Sequence, residues 1–212
     1  MINTSFQLCY ITDRLGLAPE SLLPRIQAAV EAGVDLIQLR EKDLPTRELA
    51  ELAKGIVGIC RGTGTKIVIN DRLDIAMATA ADGVHLGGQS LPAEVVRREA
   101  GKDFLIGVSC HSLEDALQAE AAGSDYIVLG PIFETPSKLR YGPPLGLSKL
   151  SEVVKRTKIP VLALGGITVE NSGACLAAGA KGVAGIRIFQ ECPALAKRVR
   201  ELRAQFPPQS GD

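Results

Sequence analysis

Four cations, two hydroxyls and a pair of glycines stand where apolar runs of strand length come to an end. Arg40 and Lys42 follow DLIQL, Arg187 follows GVAGI, and Lys138 lies in the long segment GPIFETPSKLRYGPPLGL behind Thr135 and Ser137. Gly165 and Gly166 follow VLAL, just ahead of a helix start. Point charges, hydroxyls and backbone N–H groups at a helix N-terminus, with glycine for close approach, are the equipment for holding phosphate groups. Asp71, in the Asn70-Asp71-Arg72 exit of KIVI, is the carboxylate for a Mg²⁺ ion, which uses one or two protein carboxylates and takes its other oxygens from ligand and water. The alternative is that Asp71 pairs with Arg72 or caps the next helix.

Two histidines and five cysteines complete the reactive inventory. His85 alternates with apolar neighbours in GVHLG and reads as a packed histidine. His111 lies just past FLIGVSC, beside Ser109, and is either a cap for the helix of SLEDAL or a general acid/base. Cys9, Cys60, Cys110, Cys175 and Cys192 are odd in number, widely spaced and free of any C-x-x-C, the pattern of buried free thiols in a reducing cytosol. Cys110 is close to a strand exit, but no basic cluster or helix N-terminus activates it. Residues 130–147, rich in Gly and Pro, form a candidate lid.

Elements that would position these groups follow from a repeated phrase. EAGVDLIQLR, TAADGVHLGG, EAAGSDYIVLG and LAAGAKGVAGIR each run from a helix end through a small-residue turn into an apolar strand. Eight strand-length runs are present: LCYIT, DLIQLR, KIVIN, GVHLG, FLIGVS, YIVLG, VLALGG and GVAGIR. Most are continuously apolar, as parallel strands covered on both faces must be. Helical patterns lie between them, among them TRELAELAKGIVGICRG, read with Thr46 as its cap. Eight evenly spaced strand–helix units predict an α/β fold, a single-domain (β/α)8 TIM barrel over residues 1–206 with a frayed tail at 207–212. An open doubly wound sheet is the alternative, disfavoured because no G-x-G-x-x-G follows the first strand. A barrel places its chemistry at the C-terminal strand ends, where all these polar groups fall.

Composition narrows the function classes. The chain has 212 residues, 46% hydrophobic and 23% charged, with a formal net charge of +0. That balance argues against nucleic acid or an anionic membrane as a partner. No apolar run approaches the ~18 residues needed to span a bilayer, and MINTSFQLCY does not read as a signal peptide. A cytoplasmic protein is expected. Apolar helix faces are compatible with a homodimer or a monomer.

Taken in order, IQLREKD, INDR, DGVHLG, IGVSCHS, SDYIVLGPIFETPSK, GPPLGL, LALGGIT and AGAKGVAGI resemble the motifs of the thiamine phosphate synthase family, which includes the related thiazole tautomerases. The resemblance covers roughly residues 8–190 and implies an enzyme that couples a hydroxymethylpyrimidine diphosphate to a hydroxyethylthiazole phosphate, releasing diphosphate. It further implies that Gln38, Arg40, Lys42 and Asn70 hold the pyrimidine diphosphate, that Asp71 ligates Mg²⁺ and that Ser109 faces the pyrimidine. Thr135 and Ser137 would bind the thiazole phosphate and Lys138 the diphosphate, with Gly166 and the backbone near Ile186 completing the phosphate site.

Two positions depart from the family pattern. Ser90 stands where a second magnesium-binding Asp is usual, and Arg187 stands where the last strand usually exits into a small hydroxyl residue. Both departures favour the tautomerase branch, which needs a phosphate site but no diphosphate or metal, and in which a histidine at the position of His111 would carry a proton. The intact set Arg40, Lys42, Asn70, Asp71 and Lys138 favours the synthase. A noncatalytic protein that binds the phosphorylated thiamine precursors is the third reading.

Overall fold

The computed structural model describes residues 6–18, 22–135 and 143–207. Eight parallel strands pair in sequence order and close into a barrel. They are β1 (Leu8–Ile11), β2 (Leu36–Leu39), β3 (Lys66–Asn70), β4 (Gly83–Leu86), β5 (Leu105–Cys110), β6 (Tyr126–Leu129), β7 (Val161–Leu164) and β8 (Gly182–Gly185). Closure is direct: Cys9 of β1 is in register with Ala184 of β8, so the open-sheet alternative is excluded. The helices among the described residues are α1 (Leu22–Glu31), α2 (Thr46–Cys60), α3 (Leu73–Thr79), α4 (Ala93–Ala100), α5 (Leu113–Ala121), α6 (Gly146–Arg156), α7 (Val169–Ala177), the single turn α8 (Arg187–Gln190) and α9 (Leu195–Arg203). The expected tail from 208 onward lies outside the described residues. No described helix is long and apolar enough to cross a membrane.

The near-continuous apolar strands are explained by their two covered faces. Alternate residues point inward: Cys9, Ile11, Leu36, Val68, Leu105, Tyr126, Val128, Leu162 and Ala184 form one buried cluster inside the barrel. The other set, including Leu8, Ile37, Ile67, Ile69, Ile127 and Val183, packs under the helices. The period of two puts Gln38, His85 and Ser109 on the inward set as well.

The repeated phrase also builds the barrel floor. The Asp35 carboxylate accepts the backbone N–H groups of Gln7 and Leu8 (2.9 and 2.8 Å). Asp82 accepts from Ile67 (2.8 Å) and Asp125 from Ile106 (2.7 Å). Each Asp thus accepts a backbone N–H at the start of a neighbouring strand, where a buried donor must find a partner. The fourth copy carries Lys181 at this position, and its backbone N–H bonds Val161 O (2.9 Å).

Two helix starts differ from expectation. Pro45, not Thr46, occupies the cap of α2, and no side chain caps it; Thr46 Oγ1 instead accepts from Arg72 Nη2 (3.2 Å). Ser112, not His111, caps α5, accepting from the Asp115 N–H (3.0 Å).

Candidate active site

The exits of β2, β3 and β4 converge on Asp71. This residue adopts φ 61°, in the left-handed region that Asp tolerates better than most residues. Its N–H is held by His85 O (2.9 Å). The turn presents the carboxylate to its neighbours: Oδ2 accepts from Asn70 Nδ2 (2.7 Å) and lies 3.9 Å from Lys42 Nζ. Oδ1 accepts a short hydrogen bond from Ser90 Oγ, which itself accepts from the Gly87 N–H (2.6 Å). Asp71 neither pairs with Arg72, which binds Asp74, nor caps α3. Arg40, Lys42, Asp71, Ser90 and His111 line one cavity of about 1010 Å³.

A second, smaller cavity adjoins it, and Pro131 lines both. Its wall is Gly165, Gly166, Ile186, Arg187 and Thr135. Gly165 and Gly166 have φ of 98° and 64°, and a Cβ on Gly166 would lie 2.5 Å from Glu134 O, so only glycine suits this turn. Arg187 Nη2 donates to Thr135 Oγ1 (3.0 Å), joining the exits of β8 and β6. Arg187 thus forms part of the cavity wall.

Two buried polar groups, Gln38 and His85, lie beneath the mouth, and His111 stands at its surface. Gln38 is 2% exposed, and its Nε2 has no hydrogen-bond partner. Buried amide donors are almost always satisfied, so this one is an exception at the inward face of β2. His85, also 2% exposed, bridges Tyr126 Oη at Nδ1 (3.2 Å) and Ser109 Oγ at Nε2 (2.8 Å). Burial lowers its pKa to about 4, against the opposing pull of Asp71, so it is a neutral packed histidine, as its apolar setting in the sequence indicates. His111 is exposed at the large cavity, and its Nδ1 donates to Gly130 O (2.5 Å). Because a carbonyl can only accept, Nδ1 carries the hydrogen of this bond and Nε2 is not committed to it.

All five cysteines are buried and unpaired. Burial pushes the Cys110 thiol up to about 12, which leaves no thiolate for nucleophilic work. Ser137 and Lys138, with the rest of the lid's centre from 136 to 142, lie outside the described residues. The ends of that segment are tied down by Ile132 N–H to Leu164 O (2.8 Å) and Leu145 N–H to Pro131 O (2.8 Å).

One positioning group was passed over in the sequence. Glu41 is 4% exposed and accepts from Thr12 Oγ1 (2.5 Å) and the Arg14 N–H (3.0 and 3.1 Å). Thr12 Oγ1 in turn accepts from the Arg40 N–H (3.0 Å). Burial raises the Glu41 pKa, and the bonds from Thr12 and Arg14 oppose that rise. Its signal was its place between two cations at a strand exit, but its partners lie 27 and 29 residues away.

Residues 8–189 match the family model described as thiamine monophosphate synthase. The chain belongs to this family. It is 46% identical to a putative thiamine-phosphate synthase of Geobacter sulfurreducens over 100% of both chains. It is 40% identical to the thiamine-phosphate synthase of Syntrophomonas wolfei, over 96% of this chain and 97% of that one. The solved thiamine phosphate pyrophosphorylase from Pyrococcus furiosus superposes with a TM-score of 0.85 at 37% identity, covering 95% of each.

Proposed function

We propose that this chain is a thiamine-phosphate synthase, joining hydroxymethylpyrimidine diphosphate to hydroxyethylthiazole phosphate. One observation carries the reading: two adjoining cavities at one barrel mouth, the larger lined by Arg40, Lys42 and Asp71, the smaller by Gly165, Gly166 and Arg187. Two phosphorylated substrates can sit side by side there, each with its own set of cations and N–H donors.

Asp71 is the carboxylate that would hold Mg²⁺, with the Ser90 hydroxyl as a neighbouring oxygen. The donor set fits, since a single half-exposed carboxylate beside open space suits an ion that takes most of its oxygens from phosphate and water. When bound, the ion would neutralise part of the diphosphate charge. Arg40 and Lys42 hold the diphosphate as its C–O bond to the pyrimidine methylene breaks and the electron pair leaves with oxygen. Gln38 turns its unpartnered amide toward the pyrimidine. Gly166, Arg187 and Thr135 hold the thiazole phosphate so that the ring nitrogen's lone pair meets the methylene carbon and forms the C–N bond. Ser137 and Lys138 are assigned to the thiazole phosphate and the diphosphate by family resemblance alone.

The test is product formation from the two purified precursors with Mg²⁺, and its loss in Asp71→Ala. No thiamine phosphate after many hours would sink the reading. A second reading is favoured by His111, whose Nε2 is not committed to the bond with Gly130 O: metal-independent isomerisation of a carboxythiazole phosphate, lost in His111→Ala. Calorimetric binding of the precursors without turnover would instead point to a precursor-binding protein.

A further inference from the structure

Between the closed core and the mouth, Tyr126, His85 and Ser109 form a chain of side-chain contacts across β6, β4 and β5. Tyr126 is fully buried, and His85 Nδ1 is its only side-chain hydrogen-bond partner among the described residues, at 3.2 Å. His85 Nε2 meets Ser109 Oγ at 2.8 Å. Two strands separated by a third can communicate this way because the intervening strand carries Gly107. A Cβ there would fall 2.1 Å from Tyr126 Cζ and 2.3 Å from its hydroxyl oxygen. The phenol therefore passes over β5 through the space a side chain would fill. Phe6 holds the ring from below, edge to face, with centroids 5.7 Å apart.

The direction of these hydrogen bonds follows from counting donors. A neutral imidazole carries one N–H and one bare nitrogen. If Nδ1 carried the hydrogen, it would donate to the Tyr126 oxygen, and the phenol's own O–H would be buried with nothing to donate to. A buried unsatisfied donor is the costlier arrangement. If Nδ1 is bare, the phenol donates to it, and Nε2–H donates to Ser109 Oγ. Ser109 is half-buried at the strand end, and its own O–H is then left to donate to a group other than His85.

We propose that Tyr126 is a positioning residue that fixes His85 as the Nε2–H tautomer, and so presents Ser109 to the pyrimidine ring as a hydrogen-bond donor. The proposal rests on the synthase reading for the identity of the ring. It deepens that reading by naming what is recognised: an acceptor nitrogen, where a C–H or N–H at the same place is refused.

Imidazole ¹⁵N NMR at neutral pH tests it without any turnover. The chain has two histidines, so His111→Asn assigns the His85 signals. The expected result is a protonated Nε2 and a bare Nδ1, with the tautomer moving toward a mixture in Tyr126→Phe and staying put in Ser109→Ala. A wild-type His85 with hydrogen on Nδ1 overturns the proposal, whether or not Tyr126→Phe folds. So does a tautomer that ignores Tyr126→Phe or follows Ser109→Ala. In turnover, Tyr126→Phe should raise KM for the pyrimidine diphosphate about tenfold and leave KM for the thiazole phosphate unchanged. Equal changes in both would overturn the link to Ser109. Absence of synthase activity in the wild type would sink the functional reading and leave the tautomer result standing.

Discussion

At the barrel floor, Asp35, Asp82 and Asp125 each take a backbone N–H and a cation: Arg203 at 2.6 Å, Lys66 at 2.8 Å and Arg97 at 2.7 Å. At the mouth, Arg40 has no ion-pair partner among the described residues, and Lys42 stands 3.9 Å from the one carboxylate it faces. The floor neutralises its charges within the protein. The mouth keeps cations and one buried amide waiting for acceptors. Stability should therefore be sensitive to the floor, and affinity and rate to the mouth.

Among changes that separate the mouth from the floor, the largest expected effect is at Arg40. Arg40→Ala should lower kcat/KM by roughly 10²–10³-fold, the scale for removing one preorganised electrostatic donor. Its unfolding free energy should stay within ~0.5 kcal/mol of wild type, because no folded-state ion-pair partner is lost. Kinetics alongside urea unfolding would check both halves. A destabilised Arg40→Ala would show that the mouth also pairs its charges internally.

The division was partly legible in the sequence. Every one of the eight strands falls on an apolar run, because burial on both faces leaves a continuous signal. Arg40, Lys42, Asp71 and Arg187 were readable because each follows such a run. The floor aspartates were not. They sit in the repeated phrase in plain view, yet their work is to cap strands 15 to 28 residues away, which spacing does not announce. Tyr126 read only as an apolar strand residue, because its partner His85 is 41 residues distant and Gly107 makes room from a third strand. Ser90 read as a missing acid. In the fold it is tied to the Asp71 carboxylate.

His85 lies at the boundary between the two regions, and pH should expose it. Its folded pKa of about 4 lies below the ordinary 6.5, so between those values the unfolded chain binds a proton that the folded one does not. Its stabilising contribution is complete above pH 6.5 and is lost as pH falls toward 4, amounting to roughly 3 kcal/mol over the window. Urea midpoints measured from pH 7 to pH 4 should fall more steeply for wild type than for His85→Gln. Parallel curves would mean that the ring reaches water at the mouth and titrates normally.

At the floor, Asp125→Ala should cost about 2 kcal/mol, since it leaves the Ile106 N–H without an acceptor. Arg97 still donates to the carbonyls of Gly101, Phe104 and Gly123, which limits the loss. Rates measured on the folded fraction should stay within about twofold of wild type, because no mouth residue is touched. A loss of kcat as large as that of Arg40→Ala would break the distinction between the two ends.

The smallest effect separates the two bonds that each floor aspartate makes. Lys66 pairs with Asp82, but their side chains are 45% and 31% exposed, and a solvated pair contributes under ~1 kcal/mol. Lys66→Met should therefore change stability little, and less still at high salt. Asp82→Ala should cost more, because the Ile67 N–H loses its acceptor as well. If the two substitutions cost the same, the floor is held by charge. If Asp82→Ala costs clearly more, it is held by the capping of strand ends, and the lysine is an accessory. The second outcome accounts for the fourth copy of the phrase, where Lys181 occupies the aspartate's position and β8 still pairs with β7.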